Sequence, residues 1–112
     1  DFRRLLDGIY ADLRRGESRR LAESVQRQLH AALREVNPRL QDRGVKTAPF
    51  LVLVATGMPA ILAEVSCLSD DDEVALLRDP GYRQRIADAL FAGITGYVDS
   101  NSGHPLSKGT DA

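Results

Sequence analysis

One carboxylate, Glu64, interrupts the apolar run Ala60-Ile61-Leu62-Ala63-Glu64-Val65. A carboxylate in such low-dielectric company must be paired, bound to a metal or shifted in pKa. Ligands of open α/β sheets bind at the carboxyl ends of the strands. A carboxylate there is placed to act as a general base, most effectively beside a metal-bound water. The competing reading is a glutamate paired with an arginine such as Arg43, or one on an exposed edge strand. The remaining reactive side chains form no complete constellation. His30 has no second His or Cys three or four residues away, and His104 falls in a polar C-terminal stretch. Cys67 has no histidine near it in sequence and reads as a buried structural cysteine. Ser66 and Ser69 lack a nucleophile elbow, and no phosphate-binding glycine loop is present. The triplet Asp70-Asp71-Asp72 lacks the alternating ligands and glycine of a calcium loop, so helix capping is the better reading.

The elements that must position Glu64 can be read from periodicity. Phe2, Leu5, Leu6, Ile9, Tyr10 and Leu13 have helical spacing, with Gly16 where a C-cap belongs. A second helix is predicted from Ser18 to about Val36, with Leu21, Val25, Leu29, Ala32 and Val36 on one stripe and Asn37-Pro38 as its stop. The runs Phe50–Ala55 and Ala60–Val65 are continuously apolar and bounded by Pro49, Gly57 and Pro59, which predicts strands buried on both faces. Ser69 with Asp72 fits a capping box opening a third helix. Asp79-Pro80 opens a fourth, running to about Tyr97 with Tyr82, Ile86, Leu90, Ile94 and Tyr97 inward. The expected order is α-α-β-β-α-α over residues 1–98, with a polar tail over 99–112. Two such strands need further strands beside them. The expectation is therefore the C-terminal part of a larger α/β domain, a mixed sheet flanked by helices, able to self-associate through exposed strand edges.

Composition bounds the class. The 112 residues are 43% hydrophobic and 28% charged, the profile of one globular unit rather than a disordered chain. A single cysteine excludes an internal disulfide framework, and no apolar run approaches the roughly 20 residues that span a bilayer. Charge is nearly balanced at −1, but residues 1–46 are net basic and 47–112 net acidic. The early arginine doublets alternate with Asp7, Asp12, Glu17 and Glu23, which reads as solvated helix faces and not as a nucleic-acid footprint. The chain begins at Asp1 with no signal peptide, so a segment of something longer is expected.

Three linked stretches carry a family resemblance. They are Arg43-Gly44-Val45-Lys46-Thr47-Ala48-Pro49-Phe50-Leu51-Val52-Leu53, then Met58-Pro59-Ala60-Ile61-Leu62-Ala63-Glu64-Val65, then Leu68-Ser69-Asp70-Asp71-Asp72-Glu73. Together they resemble the closing segment of zinc-dependent N-acetylmuramoyl-L-alanine amidases. The likeness continues through Leu76-Leu77, Tyr82, Ile86-Ala87, Ala89-Leu90, Gly93-Ile94 and Tyr97, and back to Asp12-Leu13, Ser18 and Leu21-Ala22, covering nearly all of residues 10–98.

The resemblance implies a peptidoglycan hydrolase of the periplasm or extracellular envelope. Such an enzyme cuts the amide between N-acetylmuramic acid and the L-alanine of the stem peptide. It also implies a mixed α/β fold and zinc held by upstream histidines and glutamate, with Glu64 at the position of a second glutamate that assists the metal-bound water. Beside that, two readings of Arg43 and Lys46 stay open: binding of anionic substrate groups, or support of the loop's own backbone. No zinc ligand is expected within this chain, which alone should be inactive. Ser66-Cys67 and Asp70 depart from the family's usual Gly-Phe and Asn near the site, so a catalytically inactive, wall-binding relative is the alternative.

Overall fold

The computed structural model describes residues 1–48, 50–54 and 56–102. Four helices follow one another: α1 (Phe2–Arg34), α2 (Leu51–Val54), α3 (Asp71–Arg78) and α4 (Pro80–Asn101). The expected α/β class is corrected here. Among the described residues there is no strand and no sheet.

The physical reason lies in the backbone. A strand exists only when a second strand takes up its N–H and C=O groups. In the first apolar run, Leu53 N instead donates to Phe50 O at 2.9 Å, and the Thr56 hydroxyl donates to Leu53 O at 3.0 Å, so the run turns into the short α2. The second run stays extended. Ile61, Ala63 and Val65 are half-buried against the helical core, while Leu62 and Glu64 are exposed. That is the period of two proper to an extended segment. Ala60 N donates to the Ser18 hydroxyl at 3.0 Å, but among the described residues no backbone hydrogen bond joins Ile61–Ser66 to another segment.

Two helices were expected before residue 37, and one is found. Gly16 does not end it. An interior glycine costs about 1 kcal/mol, yet helix-forming residues flank it on both sides. Exposed ion pairs sit either side as well, Asp12–Arg15 at 3.1 Å and Arg19–Glu23 at 3.2 Å. Ser18 is no N-cap, since its hydroxyl serves Ala60.

The core is the seam between α1 and α4. Val25, Leu29 and Leu33 from α1 meet Tyr82, Ile86 and Ala89 from α4, with Tyr97 also buried. The expected inward residue Ile94 is 48% exposed, and Ala89 and Gly93 take the inner positions. Tyr82, Ile86, Ala89, Gly93 and Tyr97 step by four, three, four and four, which tracks the 3.6-residue turn better than repeated steps of four. At the closest approach the Ser24 hydroxyl donates to Gly93 O at 2.7 Å. A Cβ on Gly93 would lie 2.5 Å from Val25 Cα. At the other end of the seam, Arg85 donates to Ala32 O (3.2 Å) and to Glu35 (3.0 Å), setting a cation against the negative end of α1.

Asp79 caps α4 through Gly81 N, with Pro80 at its start, as expected. α3 is capped by Asp70, not Ser69. Asp70 Oδ1 accepts from Asp72 N (3.0 Å) and Glu73 N (3.2 Å). α4 runs on to Asn101, into the expected tail, and residues 103–112 with His104 lie outside the described residues. The fold is flat, 53 × 49 × 19 Å, with a radius of gyration of 17.5 Å. A compact domain of this length would have roughly 13 Å. The described residues thus form one thin layer around a two-helix seam.

Gly93→Ala should destabilise the chain by about 1–3 kcal/mol in chemical denaturation, because the new methyl meets backbone that cannot swing aside. Gly8→Ala, whose Cβ would meet open space on α1, should be neutral or stabilising by up to about 1 kcal/mol. A neutral or stabilising Gly93→Ala would contradict the seam.

Candidate functional site

A cavity of about 1240 Å³ lies between α1, the connection after it and the extended run. Glu64, Arg43 and Lys46, the three residues singled out from the sequence, all line it. All three are exposed. Glu64 projects from the outward side of the extended run, and among the described residues it has no hydrogen bond or ion pair. It is therefore neither paired with Arg43 nor in low-dielectric surroundings; of the readings left open it is nearest the exposed one, although no strand edge is present among the described residues. It is a solvated carboxylate on a cavity wall, its charge available to whatever enters.

Arg43 and Lys46 sit on a loop whose shape is set by Asp42. Its Oδ1 accepts from Gln26 Nε2 on α1 at 2.7 Å and from Gly44 N at 2.8 Å. Gly44 has φ +71°, left-handed backbone that a residue with a Cβ adopts only under strain. The hydrogen bond from Gln26 and then that from Gly44 hold the Asp42 carboxyl below the usual carboxylate range. Neither Asp42 nor Gln26 was singled out from the sequence. The available signal was the Asp-x-Gly spacing of an aspartate-nucleated turn, which says nothing of Gln26, 16 residues away.

Cys67 is half-buried, not the buried structural cysteine expected. Its Sγ lies 2.9 Å from Ser69 Oγ, and hydrogen bonding from the Ser69 hydroxyl and backbone pulls the thiol below its ordinary value. Ser66 has its hydroxyl buried without a partner among the described residues, and so does the Nδ1 atom of His30. Asp70 is occupied with capping α3.

The donor set does not fit a zinc centre. Zinc needs three or four His, Cys or carboxylate ligands converging on one point. No group of three such residues able to hold a metal ion exists among the described residues.

Comparison with known proteins places the chain. The family profile described as N-acetylmuramoyl-L-alanine amidase matches residues 9–96. The chain is 38% identical over 82 residues to the uncharacterized protein YqiI of Bacillus subtilis, covering 73% of this chain and 37% of that protein. It is 35% identical over 80 residues to the N-acetylmuramoyl-L-alanine amidase LytC of the same organism, covering 71% and 15%. With the N-acetylmuramoyl-L-alanine amidase AmiA of Escherichia coli it shares 33% over 81 residues, covering 68% and 28%. The chain thus spans well under half the length of these relatives. No solved structure matches it significantly. A match over residues 9–96, with Arg43, Lys46 and Glu64 all inside it, makes this chain a member of the N-acetylmuramoyl-L-alanine amidase family.

Proposed function

We propose that this chain is the C-terminal part of a peptidoglycan amidase catalytic domain working at the cell envelope, periplasmic or extracellular. The bond cut is the amide between N-acetylmuramic acid and L-alanine of the stem peptide. The observation carrying the reading is Glu64, which lies inside the family match and stands exposed and unpaired on the wall of a cavity that also bears Arg43 and Lys46.

In that reaction water attacks the lactyl carbonyl. The Glu64 carboxylate takes the water's proton and passes it to the amine nitrogen as the C–N bond breaks. A solvated, unpaired carboxylate suits the first transfer, since no salt bridge has to break before it accepts the proton. Arg43 and Lys46 hold the substrate by its negative groups. Zinc is the expected cofactor of the whole protein. Its ligands would have to come from outside the described residues.

In the whole protein containing this segment, Glu64→Gln should lower release of stem peptides from purified sacculi by roughly a hundredfold or more, with sacculus binding retained. Near-parental turnover would reject the role. An unaltered protein that binds sacculi and releases nothing would favour the inactive wall-binding alternative.

A second property rests on the extended run. Beyond Ala60 its backbone has no hydrogen bond to another segment among the described residues, and Leu62 beside Glu64 is 56% exposed, a surface that invites pairing with a second copy. The 112-residue chain on its own should show a mass that rises with concentration in analytical ultracentrifugation. A monomer across a hundredfold concentration range would contradict this.

A further inference from the structure

We infer that the loop Asp42–Lys46 is a carboxylate clamp for an acidic peptide, with Arg43 and Lys46 as its two cations and Asp42 as the residue that positions them. The inference rests on the amidase reading above and adds which chemical group of the ligand the same cavity selects. Four observations carry it.

First, the loop is pinned. Asp42 is tied to α1 through Gln26 and closes its own turn through Gly44 N, so the loop does not have to be ordered when a ligand arrives. Second, the bonds that pin the loop also engage the carboxylate nearest in sequence to Arg43. Asp42 spends its Oδ1 on Gln26 and Gly44, and no ion pair joins it to Arg43.

Third, three of the other arginines on the cavity wall are engaged elsewhere, while Arg14, on α1, lines it without an ion pair among the described residues. Arg15 pairs with Asp12, Arg19 with Glu23, and Arg39 with Asp72 at 3.7 Å. Arg43 and Lys46 have no ion pair or side-chain hydrogen bond among the described residues. Fourth, two of the acids on the wall are already occupied, Asp70 by the α3 cap and Asp72 by Arg39. The loop is left net positive by one, Arg43 and Lys46 against Asp42, with Glu64 and Glu73 as the wall's unpaired acids among the described residues.

Arginine's planar fork matches a carboxylate in two-point fashion, and a lysine three residues on adds a mobile point charge. A clamp of this kind distinguishes a stem peptide with free side-chain or terminal carboxylates from one in which they are amidated. Asp42 touches no ligand and acts through the shape of the loop.

The test uses the whole protein and two soluble muramyl peptides of the same sequence, one with free carboxylates and one fully amidated. Affinity is measured by calorimetry and cleavage by chromatography. The free-acid peptide should bind about tenfold or more tighter than the amidated one. Arg43→Ala and Lys46→Ala should each remove most of that preference, raising KM on the acid while leaving kcat within about twofold. Asp42→Ala should reproduce the KM effect, and Asp42→Asn, whose amide oxygen can still accept from Gly44, should restore it. Equal affinity for the two peptides overturns the clamp, whether or not they are cleaved. So does equal affinity combined with tight, Arg43-dependent binding of poly(glycerol phosphate), which would assign the loop to a phosphate polymer. Preferential binding of the acid without cleavage supports the clamp and counts against the amidase reading alone.

Discussion

The close approach of α1 and α4 at Val25, Ser24 and Gly93 organises the rest of the described residues. A hydrogen bond from a buried serine to a backbone carbonyl, 2.7 Å long, and a glycine with no room for a methyl bring the two helix axes together. The contact sets the register along the seam. It places Tyr82 and Ile86 against Leu29 and Leu33, and Arg85 at the C-terminal end of α1. The extended run has no strand to lean on and takes its position from this seam, through Ile61, Ala63 and Val65. Because those three face inward, Leu62 and Glu64 must face out. The exposure of the candidate proton carrier is thus a consequence of helix packing on the other side of its own backbone.

The cavity follows from the same arrangement. α1 is long enough to carry Gln26, which anchors the 42–46 loop, and Ser18, which anchors Ala60 at the start of the extended run. One helix therefore fixes both walls, bringing residues that lie about twenty positions apart in sequence to a common opening. The lining carries both signs of charge: Glu64 from the extended run, and Arg43 and Lys46 from the loop, have no ion pair among the described residues.

Much of this was legible in the residues. The cap at Asp79 and the helical stripes of α1 and α4 follow from spacing and residue type, and the family was recognised by resemblance; at α3 the cap fell one residue on from the expected Ser69, at Asp70. The sheet did not materialise, and the reason is specific. Continuous apolar runs such as Phe50–Ala55 and Ala60–Val65 report that a segment avoids water, not which partner accepts its backbone. Without a partner, residues 51–54 of the first run closed into a helical turn, Ala55 lying outside the described residues, and the second run stayed extended. Gly16 misled because a stop signal is only a cost of about 1 kcal/mol, which flanking helix formers and ion pairs outweigh. Gln26 and Gly93 were invisible because their roles depend on what lies across from them in space.

The central claim is that the protein to which this chain belongs hydrolyses the bond between the lactyl carboxyl of muramic acid and the stem peptide. It is tested most directly by digesting purified sacculi with the whole protein in water enriched in oxygen-18 and weighing the products by mass spectrometry. The account predicts stem peptides with a free L-alanine amine and glycan strands whose lactyl carboxyl has gained one heavy oxygen. Heavy oxygen at a glycosidic carbon or at a peptide carboxyl further along the stem, or intact sacculi, would contradict it.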